Sequence, residues 1–270
     1  MKEALSESRY EYNENLKKRN HILNSRRNFK EQAMKYKERG REGKMSKKII
    51  VFAPHPDDET LGCGGTIAKR ISEGYEVLIV VMTDGKYAFS KVLGINSDPS
   101  PEELKQIRRE EMKRAAKSLG VLERNVIFLD FEDGKLGENS KEAEEEATQI
   151  LKENRPAEAY FPYEKDDHID HRETNRIIKN SIKKLGLPIL KYQYSIYQRY
   201  LRVGPIVDKL LNLFKRNMVQ VDISEFLSLK EVAVKEFKSE ITIISSKQER
   251  PILTEIKSFL KNKETFYIER

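Results

Sequence analysis

The stretch Ile49-Ile50-Val51-Phe52-Ala53-Pro54-His55-Pro56-Asp57-Asp58-Glu59-Thr60-Leu61-Gly62-Cys63-Gly64-Gly65 decides the fold. A short apolar run gives way at once to an imidazole and two adjacent carboxylates, and then to residues that start a helix. That is the pattern of a buried strand whose exit carries polar chemistry. A second apolar run, Tyr160-Phe161, leads into Asp166-Asp167-His168-Ile169-Asp170-His171. The chain has four histidines, and three of them lie in these two clusters.

Outward from these clusters, strand and helix alternate. Strands are expected over residues 48–52, 76–82, 125–131 and 157–161. Helices are expected over 59–73, 101–119, 141–154 and 171–185, with Gly74, Gly120 and Gly186 as stops. The continuous apolar run from Val77 to Met82 is that of a strand covered on both faces. Alternation of this kind predicts an open, mostly parallel α/β sheet flanked by helices. Ligands in such sheets sit at the carboxyl ends of the strands, where both clusters fall. Beyond Pro188 the pattern loosens into a late strand near 192–200, an amphipathic segment over 201–218 and charged helices over 224–240 and 251–261.

A catalytic zinc ion takes three protein ligands and keeps a fourth position for water. His55, Asp58 and His171 can supply two imidazoles and a carboxylate from two strand ends. Asp57, next to a ligand without needing to be one, can take a proton from the water. His168, three residues before His171, can stabilise an oxyanion or protonate a leaving amine. Plainer roles compete. Asp57 or Asp58 can cap the following helix. Asp170 with Glu173 imitates a capping box, or it can bond His168. Gly62, Gly64 and Gly65 read as close packing rather than a phosphate cradle, and His21 as solvated surface.

These residues together resemble the PIG-L (LmbE-like) family of zinc-dependent N-deacetylases. The resemblance rests on Ala53-Pro54-His55-Pro56-Asp57-Asp58-Glu59 and His168-Ile169-Asp170-His171. It extends through Thr83-Asp84-Gly85, Arg108 with Glu111, Leu119-Gly120-Val121 and Asp133-Gly134, covering about residues 48–185. A weaker match continues through Lys230, Ala233, Phe237 and Ser239, with Glu240 where glutamine is common. The resemblance implies a Rossmann-like fold and removal of an N-acetyl group from an N-acetylglucosamine moiety. It implies His55, Asp58 and His171 as ligands of one zinc ion per chain, although such a site also suits iron. It implies Asp57 as general base, His168 as acid or oxyanion partner, Asp170 as the residue tuning that histidine, and Arg108 as a substrate contact. A thiol-conjugate amidase and a non-catalytic nucleotide-binding module are the alternatives.

Composition bounds the rest. Of the 270 residues 35% are charged, and the net charge is +7. Residues 1–44 hold 13 Lys and Arg against 7 Asp and Glu, so nearly all of that charge lies in this leader and the body is close to neutral. Nucleic-acid binding is therefore not expected. A single cysteine, Cys63, excludes an intramolecular disulfide, and no stretch approaches the ~20 apolar residues of a membrane span. The expected organisation is a helical or disordered leader over 1–44 and one α/β domain over 45–270, with its core at 48–187 and a mixed C-terminal part at 188–270. A cytoplasmic setting, a small amino-sugar substrate and a homo-oligomer complete the expectation. The 201–218 segment is read as an amphipathic helix on the body or a second subunit, with membrane-surface contact the less favoured reading.

Overall fold

In the computed structural model, residues 48–196 and 218–269 are described. The leader, residues 45–47 at the expected start of the domain and residues 201–217 of the amphipathic segment lie outside them. Strand β1 (Lys48–Ala53) passes to helix α1 (Asp58–Ser72), then to β2 (Glu76–Thr83), α2 (Ala88–Leu93) and α3 (Pro101–Ser118). Strand β3 (Val126–Phe131), α4 (Ser140–Asn154), β4 (Glu158–Pro162), α5 (Ile169–Leu185) and β5 (Leu190–Tyr194) follow. The C-terminal part adds β6 (Met218–Asp222), α6 (Leu227–Val234), α7 (Lys238–Ile241) and β7 (Lys263–Glu269).

The described strands form one sheet in the order β3-β2-β1-β4-β5-β7-β6. The first five strands are parallel, whereas β7 runs antiparallel to both β5 and β6. The two-residue period of β1 divides the core. Ile49 and Val51 pack with Cys63, Ile67, Met112 and Ala233 on one face, while Ile50 and Phe52 pack with Ala143, Ala147, Ile177 and Ile178 on the other. All four are fully buried, as a parallel strand covered on both faces requires. Among the described residues no helix is long and apolar enough to cross a membrane.

Local chemistry explains the element ends. Ser100 caps α3 in a reciprocal box with Glu103, and Pro101 takes the first helical position. Helix α5 stops at Gly186, whose φ of 61° suits a residue without Cβ. The three glycines of α1 serve close packing: a Cβ on Gly62 would collide with the Tyr194 ring, and one on Gly65 with Ile223.

The C-terminal part departs from expectation. The expected helix over 224–240 is broken into α6 and α7, and residues 251–261 hold only a short 3-10 turn at Ile256–Ser258. Strand β7 was hidden because Glu264, on the same face as Phe266, is buried and breaks the apolar alternation. Its carboxylate accepts the N–H groups of Gly65 (2.9 Å) and Thr66 (2.7 Å) and pairs with the buried Lys230 ammonium at 2.7 Å. These are N–H groups near Cys63, whose φ of −146° interrupts the helical path of α1. A charged residue here replaces backbone bonds that the kink removes.

Candidate active site

The chain runs from β1 outward to β2 and β3, then returns to β4 on the other side of β1. The crevice above the β1 and β4 exits is therefore the topological switch point of the sheet. His55, Asp57 and Asp58 reach it from β1, and His168, Asp170 and His171 from β4. The His55 and His171 ring centroids are 5.3 Å apart, and those of His55 and His168 are 4.6 Å apart.

One oxygen organises the centre. Asp58 Oδ2 lies 3.1 Å from His55 Nδ1 and 3.1 Å from His171 Nε2. Two imidazole nitrogens and a carboxylate so spaced are a donor set that suits a divalent cation. The other nitrogens of both rings face carboxylates: His55 Nε2 is 3.2 Å from Asp170 Oδ2 and 3.5 Å from Asp133 Oδ1, and His171 Nδ1 is 3.4 Å from Asp166 Oδ1. A carboxylate behind a ligating imidazole fixes its tautomer and orientation.

The electrostatics call for positive charge. Burial alone would lower the pKa of His55, yet Asp133, Asp170 and Asp58 raise it well above the ordinary value. Burial is likewise outweighed at His171, chiefly by Asp58. Against its own desolvation, the Asp58 carboxyl is held far below the usual range by the two imidazoles. A buried pocket that raises two of its imidazoles and lowers the carboxylate between them has room for a cation in its charge balance.

A second grouping, His55 with Asp133 and Asp170, also brings three donors together. Its carboxylates are already engaged. Asp133 accepts from Lys91 Nζ (2.8 Å) and the Tyr87 N–H (2.9 Å), and Asp170 from the N–H groups of Gly134 (2.6 Å) and Leu136 (3.3 Å). They suit acceptors for the His55 Nε2–H better than first ligands.

Asp57 precedes α1 without capping it through its side chain, so its carboxylate is left for other work. Its backbone sits at φ 133°, a conformation that costs a non-glycine residue energy. Burial raises its pKa well above the ordinary value despite the neighbouring Arg108 guanidinium. His168 caps α5, its Nδ1 accepting the Asp170 N–H at 3.2 Å. That bond leaves Nε2 as the protonated nitrogen of a neutral ring. Burial and the two other imidazoles push the His168 pKa down to about 4. Asp170 lies in the first turn of α5, inside the helix, and its carboxylate turns to His55 and the β3 exit. Arg108 is 3% exposed, and its guanidinium donates to the carbonyls of Pro56 and Gly85 at 2.8 Å each.

Three residues around the site were given no role by sequence reasoning. Asp133 follows β3, and that position at a parallel strand exit was an available signal. Asp166 stands in the second cluster itself. Glu240 carried only its departure from the family pattern.

Fold and site together define a Rossmann-like α/β domain with a buried His–Asp centre at its switch point. Within that class residues 50–182 form a PIG-L family domain, the family described as GlcNAc-PI de-N-acetylase. The diacetylchitobiose deacetylase of Thermococcus kodakarensis is 33% identical over 147 residues, which are 53% of this chain and 51% of that protein. A probable N-acetyl-alpha-D-glucosaminyl L-malate deacetylase 2 of Bacillus cereus is 27% identical over 52% of this chain and 63% of its own length. The chain thus spans between about half and under two thirds of these curated relatives. The solved N,N'-diacetylchitobiose deacetylase of Pyrococcus horikoshii superposes with a TM-score of 0.62 at 25% identity, over 83% of this chain and 84% of that one.

Proposed function

We propose that this protein is a metal-dependent hydrolase that removes the N-acetyl group from an N-acetylglucosamine-type amino sugar or its conjugate. The observation that carries the reading is the convergence of His55 Nδ1 and His171 Nε2 on Asp58 Oδ2, with Asp57 beside it. We assign His55, Asp58 and His171 as the ligands of one zinc ion; the donor set would also accept iron. When bound, the ion lowers the pKa of water and polarises the amide carbonyl.

The remaining steps fall to the chain's own side chains. Asp57 takes a proton from the attacking water and later delivers it to the leaving amine. His168, with Nδ1 occupied by the Asp170 N–H, presents Nε2–H to the carbonyl oxygen as charge develops there. Asp170 and Asp133 hold the His55 ring through Nε2. The sugar class follows from the similarity to a diacetylchitobiose deacetylase and a probable N-acetyl-alpha-D-glucosaminyl L-malate deacetylase, and residues 45–270 are the proposed enzyme with 1–44 as a leader.

The test is acetate release from N-acetylglucosamine, N,N'-diacetylchitobiose and other N-acetylglucosamine conjugates, using protein of measured metal content. Asp57→Asn should keep its metal and lose at least about 100-fold in turnover. Hydrolysis without acetate among the products would exclude deacetylation, and near-normal turnover in Asp57→Asn would remove the base.

A further inference from the structure

Arg108 is buried at the centre of a knot that ties three distant segments together. From α3 its Nη2 donates to Pro56 O and its Nη1 to Gly85 O, each at 2.8 Å. The same Nη2 lies 3.4 Å from Asp57 Oδ2 and 3.1 Å from Glu240 Oε1. Glu240 belongs to α7, beyond residues 50–182 of the family domain, and is 4% exposed. Its helix is fixed to α3 a second time, because Glu111 accepts from the Ser239 N–H (2.9 Å) and hydroxyl (2.5 Å).

The Pro56–Asp57 peptide is thereby held at both ends. Arg108 takes its oxygen, and Glu59 Oε2 accepts its N–H at 3.3 Å. This is the peptide that enters the φ 133° conformation of Asp57. A strained residue persists only where its surroundings over-determine it. One guanidinium nitrogen meanwhile faces two carboxylates, and it stands nearer to Glu240 than to Asp57.

We propose that Glu240 is a positioning residue for Asp57, acting through Arg108. Its carboxylate holds the guanidinium against the Pro56 and Gly85 carbonyls and off a close bond with Asp57. The Asp57 oxygen thus stays directed into the site. The proposal rests on Asp57 acting as the base. With Glu240 removed, Asp57 is the carboxylate left within 4 Å of Arg108 among the described residues, and the guanidinium closes on it. A charge-assisted bond of that kind is short and strong.

The test is a series of Glu240→Leu and Glu240→Gln, each also made in the Asp57→Asn background, with kcat, KM and metal content measured throughout. Glu240→Leu should lower kcat between about 10- and 100-fold, the scale of a misplaced catalytic group. KM should stay within about twofold and the metal content should be unchanged. Glu240→Gln keeps an oxygen facing Arg108 and should recover kcat to within about threefold of the parent. In the Asp57→Asn background Glu240→Leu should cause no further loss, because two residues acting through one group are not additive. An unchanged kcat in Glu240→Leu would overturn the proposal, as would a raised KM with kcat intact, or a full further loss in the Asp57→Asn background. Should Glu240→Leu not fold, Glu240→Asp withdraws the carboxylate while keeping its charge and takes its place in the same cycle. High activity in Asp57→Asn itself would refute the base assignment and carry the Glu240 proposal with it. A dead Asp57→Asn with a silent Glu240 series would refute the proposal alone.

Discussion

Residues 48–194 and residues 218–269 contribute to this site in different ways. The parallel part supplies each proposed ligand and proton-transfer group, from the exits of β1 and β4, together with Asp133 from β3. The antiparallel part supplies none. Its buried Lys230, Ser239, Glu240 and Glu264 reach the site only through α1, through α3 or through Arg108. The difference teaches that chemistry and support are coded separately. The chemical groups follow apolar strands within a short motif, while the supporting charges of the antiparallel part arrive from sequence positions more than a hundred residues away.

The sharpest way to break this division is to remove a ligand from the parallel part. His171→Ala should fall from about one divalent ion per chain to a small fraction, with activity lost alongside. Elemental analysis of purified protein measures it. Full retention would shift the assignment to the other grouping, His55 with Asp133 and Asp170, and Asp133→Asn would then be the variant that loses metal.

The second effect belongs to the antiparallel part and concerns stability. Lys230 is 1% exposed, and its ammonium is held by Glu264 and the Leu61 carbonyl. Glu264→Ala strands that charge and frees the N–H groups of Gly65 and Thr66, so we expect a loss of about 3–5 kcal/mol in urea unfolding. The double variant Lys230→Met/Glu264→Gln removes the stranded charge, and its loss should be well below the sum of the losses in Lys230→Met and Glu264→Gln made singly. Metal content and turnover per folded molecule should stay near the parent's. If they collapse while the fold survives, the antiparallel part does more than support.

That division also explains what was legible in the sequence. The parallel strands, their helices and both histidine clusters were readable because apolar runs end directly in the polar residues they position. His55, Asp57, Asp58, His168, Asp170 and His171 do converge on one crevice. Lys230, Glu240 and Glu264 were unreadable because a charged residue reads as solvated until its partner is known, and their partners are distant. The same reason hid β7, where a buried glutamate interrupts the alternation. Asp170 illustrates the limit at shorter range. Its spacing to Glu173 suggested a cap, yet its carboxylate is claimed by Gly134, Leu136 and His55 from other strand exits. Arg108 was expected at the substrate, and its guanidinium lies beside Asp57 and donates to the Pro56 and Gly85 carbonyls, a supporting role that its sequence position did not reveal.

The smallest expected effect lies within the motif, where Glu59 is a supporting group among catalytic neighbours. It is fully buried, accepting from the Thr60 hydroxyl and the Asp57 N–H. Burial, with the nearby Asp58 charge adding to it, raises its pKa from 4.5 to about 7 in the metal-free protein. The unfolded chain ionises this carboxyl near its ordinary value, whereas the folded one keeps its proton to about pH 7. The neutral form therefore favours the fold fully below the ordinary value, and that contribution is lost as pH rises through about 7. Glu59→Gln is neutral at every pH and keeps an oxygen for Thr60. Its stability relative to the parent should be close to zero near pH 4. The advantage should grow through the interval and level off above pH 7, at no more than on the order of 3 kcal/mol. Urea unfolding of both metal-free proteins from pH 4 to 8 measures the difference. A constant difference across that range would mean that folding leaves the proton affinity of Glu59 unchanged, and that burial does not disfavour its charge.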